Sequence, residues 1–306
     1  MSIYLGVDTS NYTTSFALTG DIDRSVRKIL PVPEGQRGIR QSDGVFMHIK
    51  QALALYKELV DGLDTKDIRA VGVSTRPRSV DGSYMPVFLA GETFAGIIAA
   101  TLSVPLYEFS HQDGHIMAGI MSADRLDLLN NEFYSVHLSG GTFEILKSGY
   151  NGYNFDTEIV GGTKDISAGQ LIDRVGVACG IKFPCGKEVS KLAAAADGKL
   201  PLFSVSENKG YINFSGAETQ AMRLVGEVPT QRICRAVIEC IGKSIIKALN
   251  SVKAKTVLMV GGVASSEILR EYLSRNCDID FIFASSEMST DNAWGIAKLA
   301  KMREGE

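Results

Sequence analysis

Two segments of the chain repeat one pattern, and this repeat restricts the available folds more than any other feature of the sequence. Residues 4–18, YLGVDTSNYTTSFAL, and residues 134–146, YSVHLSGGTFEIL, each read as an apolar strand, a turn that contains Ser, and a segment that returns with Thr. An internal duplication predicts a hairpin at the start of each of two related domains, with both turns facing a shared cleft. Chance similarity of two hairpins is the alternative.

The length of the chain supports a division into two domains. Its 306 residues, 45% of them hydrophobic, can bury a large core, and this length divides more readily into two domains than one. We expect a first domain at residues 1–108, completed by a C-terminal helix at 291–306. The second domain is expected at residues 109–290.

Hydrophobic periodicity predicts an α/β order of elements after the first hairpin. Helical spacing of apolar residues occurs at 45–63, 86–102, 165–180, 187–196, 231–250, 264–275 and 291–302. Compact apolar runs predict strands at 69–74, 105–109, 256–260 and 281–284. Ser110 is a suitable N-cap for a further helix that starts at His111.

Composition argues against several classes of protein. The apolar runs are shorter than the roughly 18 to 20 residues that a membrane-spanning helix needs, and the N-terminus lacks the features of a signal peptide. We therefore expect a cytoplasmic protein without a membrane partner. The net charge of -3 argues against a strongly basic surface that binds nucleic acid alone, so a tRNA substrate would need help from partner subunits.

The cysteines predict neither a disulfide framework nor a zinc centre. They are odd in number, and no two of them form a C-x-x-C pair. We expect reduced, buried and unreactive thiols. The positions are Cys179, Cys185, Cys234, Cys240 and Cys277.

Two histidines are the best candidates for a metal site. His111 and His115 are separated by one helical turn, so their rings project from one face and can bind one divalent ion, Zn or Fe. Asp291, at the start of the last predicted helix, is the expected third ligand. An exposed polar helix face is the alternative. Gly114 weakens a helix, however, and a purely structural face would have little reason to contain it.

Three turns that contain Gly or Ser are candidates for phosphate binding. Backbone N–H groups in Ser139-Gly140-Gly141 can approach phosphate oxygens, and Gly261-Gly262 precedes a helix whose N-terminus could receive an anion. The first hairpin turn contains Ser10, and Asp8 before it could orient water or a metal near phosphate. Each feature has a structural alternative, because Gly and Asp are also common turn formers.

Two further groups of polar residues are candidates for ligand contacts. Asp165, Gly169 and Asp173 have helical spacing, which would place both carboxylates on one face of a helix. A helix cap and a solvated carboxylate are the alternative roles. Arg76 and Arg78 follow a predicted buried strand and could meet an anionic ligand, or could be solvated surface side chains.

Together these motifs resemble the TsaD and Gcp family, historically classed as O-sialoglycoprotein endopeptidases. The resemblance covers nearly the whole chain through HQDGH (111–115), SGG (139–141), DISAGQLID (165–173), FPCGK (183–187), GGVASSEILR (261–270) and STDNAWGIA (289–297). It implies an actin-like ATPase (ASKHA) fold of two duplicated RNase H-like domains with a nucleotide cleft between them. It also implies transfer of a threonylcarbamoyl group from an adenylate to an adenosine of tRNA.

The resemblance implies roles for the motif residues but leaves the catalytic residue unassigned. His111, His115 and Asp291 would bind the metal. ATP or a related adenine nucleotide, or the substrate, would contact Ser139, Gly140, Gly141, Asp173 and Gly186, and the candidate set is completed by Asp8, Ser10, Gly261, Gly262 and Ser266. A protein partner or a homodimer is also implied, because family members commonly dock onto another subunit.

Several positions depart from the family pattern. Tyr12 and Thr13 stand where the family usually has an acidic pair, and Thr142 replaces the His that follows the SGG turn. Arg76-Pro77-Arg78 replaces a Gly-Pro-Gly loop, and Ser266 stands where Asn is expected. The metal positions are kept and the catalytic positions are altered, which indicates a diverged paralogue.

Two functions of different classes fit this pattern. The first is a metal- and nucleotide-binding carbamoyl-type transferase that acts on tRNA. The second is a catalytically degenerate nucleotide-binding paralogue that serves as a partner or regulator. A metalloprotease is the least favoured function, because no H-E-x-x-H motif places a glutamate beside the first histidine.

Overall fold

The computed structural model describes residues 1–10, 12–31, 39–80, 82–285, 288 and 293–305, and these form two compact units. The first unit comprises Met1–Leu126, Tyr150–Asp156 and Thr290–Glu306, and the second comprises Asp127–Gly149 and Thr157–Ser289. Residues 109–126, which the sequence analysis assigned to the second domain, thus lie in the first unit. The compact units do not test the expected domain limits, which stay a prediction.

Both predicted hairpins are present, and the elements alternate as an α/β order requires. The strands are β1 (Ile3–Thr9), β2 (Thr13–Gly20), β3 (Arg24–Ile29), β4 (Ile68–Arg76), β5 (Leu106–Ser110), β6 (Phe133–Leu138), β7 (Phe143–Tyr150), β8 (Phe155–Thr163), β9 (Ser206–Asn208), β10 (Tyr211–Asn213), β11 (Thr256–Val260) and β12 (Asp280–Phe283). The helices are α1 (Gln41–Leu59), α2 (Phe88–Leu102), α3 (His111–Ser122), α4 (Ala168–Ala178), α5 (Gly186–Ala194), α6 (Ser215–Met222), α7 (Thr230–Ser251), α8 (Glu267–Asn276) and α9 (Trp294–Arg303).

The first unit is built on a sheet of strand order β3-β2-β1-β4-β5. β1 and β2 form the antiparallel hairpin, whereas β1, β4 and β5 run parallel. Every residue of β1 is buried, which explains its continuous apolar run. Because these three strands are parallel, the residues that follow them meet at the same edge of the sheet.

The second unit contains a sheet of order β12-β11-β6-β7-β8-β10-β9. β6 and β7 form the second hairpin, and β6, β11 and β12 run parallel. Strands of this sheet share one hydrophobic core with α4, α5 and α7, and this core includes Phe143, Val175 and Ile241. The carboxyl ends of β6 and β11 therefore lie side by side.

Two differences from the predicted elements have clear physical causes. The predicted helix 264–275 is divided into a short 3₁₀ turn, Gly262–Ser265, and α8, because Ser266 between them has an extended backbone with φ of -63° and ψ of 116°. The strand β3 was not predicted, because it is an edge strand that buries only Val26 and shows no alternation of apolar residues.

Composition predicted reduced cysteines and no membrane-spanning helix, and the structure describes both features. The five cysteines are free thiols; three are buried, and Cys179 and Cys277 are half-buried. Burial raises the pKa of Cys185 and Cys240 to about 11 and that of Cys234 to about 12, which makes these thiols poor nucleophiles. Within the described ranges, no helix has both the length and the apolar character needed to cross a membrane.

Candidate functional site

The two histidines lie at the start of α3, in the first unit. Ser110 caps this helix: its Oγ accepts a hydrogen bond from the N–H of Asp113 at 3.0 Å, and Oδ2 of Asp113 accepts one from the N–H of Ser110 at 2.8 Å. The helix therefore begins at His111, and His115 follows one turn later, as predicted. The Nε2 atoms of the two imidazole rings are 3.0 Å apart.

A carboxylate from β1 orients the first histidine. Nδ1 of His111 lies 3.0 Å from Oδ2 of Asp8, which is fully buried. Because a carboxylate accepts hydrogen bonds, it favours a proton on Nδ1 of His111 and leaves Nε2 able to donate an electron pair. The second oxygen of Asp8 accepts a hydrogen bond from the hydroxyl of Ser74 on β4. Asp8 thus has the position of the outer carboxylate in a carboxylate–histidine–metal arrangement.

The histidine pair fits a metal ion in the type and spacing of its donor atoms. Bonds from Zn to histidine nitrogen are about 2.0–2.1 Å long, so one ion can be bound by both nitrogens at the observed separation. Among the residues that the structure describes, no group of three or more His, Cys, Asp or Glu side chains could hold a metal. Asp291 lies outside the described residues, and its role as third ligand stays a prediction.

Packing explains the glycine between the histidines. A Cβ at Gly114 would lie 2.9 Å from Cδ1 of Ile296 on α9. A Cβ at Gly295 would lie 1.9 Å from the carbonyl oxygen of Gly114. The two glycines let α3 and α9 approach closely. Gly114 therefore has a structural cause in the contact between α3 and α9, and it does not support the metal site.

Asp113 is an organising residue that the sequence analysis missed. It is fully buried, and its Oδ2 accepts hydrogen bonds from the hydroxyls of Ser110 at 2.7 Å and Ser79 at 2.8 Å. Its Oδ1 accepts one from the N–H of Phe155 at 3.1 Å. The S-x-x-D spacing of residues 110–113 is a capping-box signature that could have identified this role.

A second polar cluster lies beside the first hairpin. Oγ1 of Thr14 is 2.8 Å from Nδ1 of His48 and 3.3 Å from Oε1 of Gln51. His48 is fully buried, and its Nε2 has no well-formed hydrogen bond to any residue that the structure describes. Burial lowers the pKa of His48, against the opposing effects of the Asp8 charge and the backbone of Ser10. His48 is therefore a neutral imidazole near neutral pH.

In the second unit, the hairpin turn 139–141 is supported from one side and open on the other. Ser167 donates a hydrogen bond to the carbonyl oxygen of Gly140 at 2.7 Å. Gly169 passes so close that a Cβ there would lie 2.4 Å from Cα of Gly140. A Cβ at Gly140 or Gly141, in contrast, would have no atom of the described residues within 4 Å. A ligand can therefore approach this backbone.

The turn after β11 lies next to this hairpin turn. β11 pairs in parallel with β6, with Val260 opposite His137. Gly261 has φ of +100°, and a Cβ there would lie 2.4 Å from the carbonyl oxygen of Leu138, so the backbone itself requires this glycine. Gly262 has no described atom within 4 Å of a Cβ position. The structure thus brings the two predicted glycine turns together at one edge of one sheet.

The prediction that Asp165, Gly169 and Asp173 share a helical face is wrong. Helix α4 starts three residues after Asp165, so this carboxylate lies outside the helix. It accepts hydrogen bonds from the N–H groups of Phe214 and Ser215, each at 2.9 Å. Burial alone would raise the pKa of Asp165, but these hydrogen bonds outweigh burial and lower it. Asp165 therefore holds the backbone at the start of α6 in place.

The remaining candidates of the second unit lie around α5. Oδ1 of Asp173 accepts a hydrogen bond from the N–H of Cys185 at 2.8 Å, just before Gly186 begins the helix. Burial raises the pKa of Asp173. Oγ of Ser266 lies 3.1 Å from Oγ of Ser190 on α5. These contacts connect the candidate positions to one another, and their ligand roles stay predictions.

A family model described as TsaD, tRNA N6-adenosine threonylcarbamoyltransferase, matches residues 42–298 of the chain. The chain belongs to this family. A tRNA N6-adenosine threonylcarbamoyltransferase of Clostridium perfringens is 29% identical over 273 residues, which cover 83% of this chain and 77% of that protein. The protein of the same name from Thermus thermophilus is 28% identical over 314 residues, which cover 98% of this chain and 92% of that protein. The predicted TsaD resemblance is confirmed.

Solved structures identify the fold. Component A of the (R)-2-hydroxyglutaryl-CoA dehydratase of Acidaminococcus fermentans aligns over the full length of both chains, with a TM-score of 0.60 and 14% identity. A ROK family glucokinase from Streptomyces griseus aligns over 98% of this chain and 99% of its own, with a TM-score of 0.52 and 12% identity. At this identity the likeness concerns the fold alone. The chain has the actin-like ATPase fold that the TsaD resemblance implied.

Proposed function

We propose that this chain is a metal- and nucleotide-binding transferase that moves a threonylcarbamoyl group from an adenylate to an adenosine of tRNA. The observation that carries this proposal is the histidine pair of α3, with His111 oriented by Asp8, in a chain of the TsaD family. The alternative of an exposed polar helix face is disfavoured, because His115 is 4% exposed.

The residues of the first unit have distinct roles in this proposal. His111 and His115 hold the metal through Nε2, Asp291 is the third ligand, and Asp8 fixes the ring of His111. A divalent ion, Zn or Fe, supplies Lewis-acid polarisation of a phosphoryl or carbonyl oxygen when bound. Ser74 holds Asp8 in place and keeps the carboxylate ordered without the ion.

The residues of the second unit bind the nucleotide in this proposal. The open backbone at Gly140, Gly141 and Gly262 offers N–H groups to phosphate oxygens, as in other glycine-rich anion sites. Turn 139–141 is held from behind by α4, so it keeps its shape before a ligand arrives. The net charge of -3 favours binding of tRNA together with partner subunits.

The second candidate function is a nucleotide-binding partner or regulator without transferase activity. It is favoured by Tyr12 and Thr13, which replace the acidic pair that the family resemblance leads us to expect. An acid or base near a reacting group typically contributes about a hundredfold to ten-thousandfold in rate. If the chain is a transferase, we expect transfer that is slower by this factor than in an ordinary member of the family; if it is a partner or regulator, we expect none.

The test is turnover of threonylcarbamoyl adenylate and tRNA, with and without the partner subunits of a TsaD system. Mass spectrometry of the tRNA measures the modified adenosine. The double variant Tyr12→Asp with Thr13→Glu is expected to raise the rate, and His111→Ala is the inactive control. Absence of modification in the wild type and in the double variant would favour the partner or regulator. Wild-type turnover at an ordinary rate would show that the departures are harmless.

A further inference from the structure

Arg76 lies at the same sheet edge as the histidine pair. It is the last residue of β4, and its backbone pairs with Ser110, the residue immediately before His111. β4 also pairs with β1, whose carboxyl end contains Asp8. The carboxyl ends of parallel strands are where α/β folds bind their ligands. Arg76 is therefore one strand from the start of α3.

The loop that follows Arg76 is fixed to α3. The N–H of Gln112 donates a hydrogen bond to the carbonyl oxygen of Pro77 at 3.1 Å. The hydroxyl of Ser79 donates to Asp113 at 2.8 Å. These two contacts hold the backbone beside Arg76 before any ligand binds. An arginine on such a segment loses less conformational entropy on binding than one on a free loop.

The guanidinium of Arg76 has further N–H groups besides the one that donates to Thr75. Its Nη1 donates to the neutral hydroxyl of Thr75 at 3.1 Å, and no carboxylate among the described residues pairs with it. Arg76 is half-buried, so part of its side chain is accessible to a ligand. Other arginines of the chain do have carboxylate partners, as in Arg174–Glu218, Arg232–Asp197, Arg235–Glu239 and Arg275–Glu271.

We propose that Arg76 is the anchor of an oxyanion subsite that binds a carboxylate or phosphate group of a ligand held at the histidine pair. A planar guanidinium binds either group with two parallel hydrogen bonds. The proposal deepens the proposed function and rests on it, since the same ligand occupies both sites.

The test compares two arginines of the same strand. Arg76→Gln removes the charge at the carboxyl end of β4, and Arg69→Gln removes an exposed charge at its amino end. Both variants have the same net charge, so unspecific attraction of anions changes equally. We expect Arg76→Gln to weaken binding of inorganic phosphate at least about tenfold, the loss typical of one charge-assisted hydrogen bond. Arg69→Gln should bind phosphate like the wild type.

Phosphorus NMR line broadening of inorganic phosphate, with the full chain, measures the affinity, and every variant carries Gly141→Val so that the proposed phosphate site of the second unit is blocked. Competition by acetate distinguishes the sources: displacement indicates a subsite that accepts carboxylates, and resistance indicates a phosphate subsite. Arg76→Lys, which keeps the charge but not the planar fork, should bind with intermediate affinity. Equal affinity of Arg76→Gln and the wild type would overturn the proposal, as would an equal loss in Arg69→Gln.

These measurements distinguish failure of the Arg76 subsite from failure of the proposed transferase function. Loss of phosphate affinity in Arg76→Gln, in a chain that modifies no tRNA, would support the subsite and count against the transferase. Normal tRNA modification by Arg76→Gln with unchanged phosphate binding would support the transferase and count against the subsite. Thermal unfolding of each variant checks that the loop remains folded, and Arg76→Lys keeps the test valid if Arg76→Gln is unstable.

Discussion

The turns of the two hairpins come from one sequence pattern and have opposite properties. In the first unit, the polar groups beside the turn are buried and bonded to other protein atoms. Thr9 donates to the carbonyl oxygen of Val87 and accepts from the N–H of Gly91, each at 3.0 Å, and Asp8 binds both Ser74 and His111. In the second unit, Gly140 and Gly141 have no described atoms where a side chain would lie.

This difference shows that a repeated hairpin can serve two chemical purposes. The first turn uses side chains, which position a carboxylate and through it a histidine. The second turn uses its backbone, which can be approached because side chains are absent. Mutations should therefore act differently on the two turns. In the first turn, removing a side chain should disturb the orientation of His111. In the second turn, adding a side chain should block the ligand from the backbone.

The largest effect is expected from removing the histidines of the first unit. His111→Ala combined with His115→Ala should reduce bound metal from about one equivalent to background, because both nitrogen donors are lost. His137→Ala, which removes a histidine of the second unit, is the control and should leave the metal content unchanged. Elemental analysis of the purified variants makes the measurement. Undiminished metal in the double variant would remove the site from α3.

A smaller loss is expected from the carboxylate behind the first histidine. Asp8→Asn keeps the size of the side chain but presents an amide to Nδ1 of His111. Outer carboxylates of this kind typically contribute about 10–100-fold to metal affinity. Titration with the metal in competition with a chelator measures the change. Ser25→Ala, at an exposed position of the neighbouring strand β3, is the control. An unchanged affinity in Asp8→Asn would mean that Asp8 does not orient the ligand.

Much of the fold could be predicted because its strongest signals are local. The hairpins, β4, α2 and α7 are long or strongly patterned, and the structure has them close to the expected residues. The strands β9 and β10 could not be predicted, because each has only three residues and pairs at the edge of the sheet. Such short strands are defined by their neighbours in space and leave no periodicity in the sequence.

The parts of the site that depend on the spacing of nearby residues could be predicted. The parts that depend on contacts between residues far apart in the sequence could not. The His111 and His115 spacing and the Ser110 cap can be read directly from the sequence. The partnership of Thr14 with His48 joins residues 34 positions apart and has no local signal. The cause of Gly114 has no local signal either, because Ile296 of α9, which packs against it, comes much later in the chain.

In the second unit, a bulky residue in the open turn should weaken nucleotide binding. Gly141→Val adds a branched side chain where phosphate is proposed to approach, and we expect a loss of at least tenfold, about 1.4 kcal/mol, in ATP or ADP affinity. Gly149→Val is the matched control, because a Cβ at Gly149 also has no described atom within 4 Å. Calorimetry measures both. Equal affinity in Gly141→Val and Gly149→Val would exclude the turn as a phosphate site.

The smallest effect concerns the stability of the first unit at low pH, and it tests whether the polar cluster beside the first turn is as closed as it looks. Burial lowers the pKa of His48 below its ordinary value of 6.5, so the folded chain takes up this proton less readily than the unfolded chain. The contribution of His48 to stability is therefore constant above pH 6.5. It decreases as the pH falls from 6.5 towards the lowered pKa, because protonation then favours the unfolded state.

His48→Gln removes this titration while keeping a polar side chain near Thr14. Its denaturant midpoint should be lower than that of the wild type at pH 8, because a buried contact is lost, but should fall less steeply between pH 6.5 and pH 5.5. Thr14→Ser, which keeps both the hydroxyl and His48, is the control and should keep the wild-type slope. If His48→Gln and the wild type lose stability in parallel, His48 is protonated without cost. The cluster would then be open to water, and the contrast between the two turns would be weaker than the structure indicates.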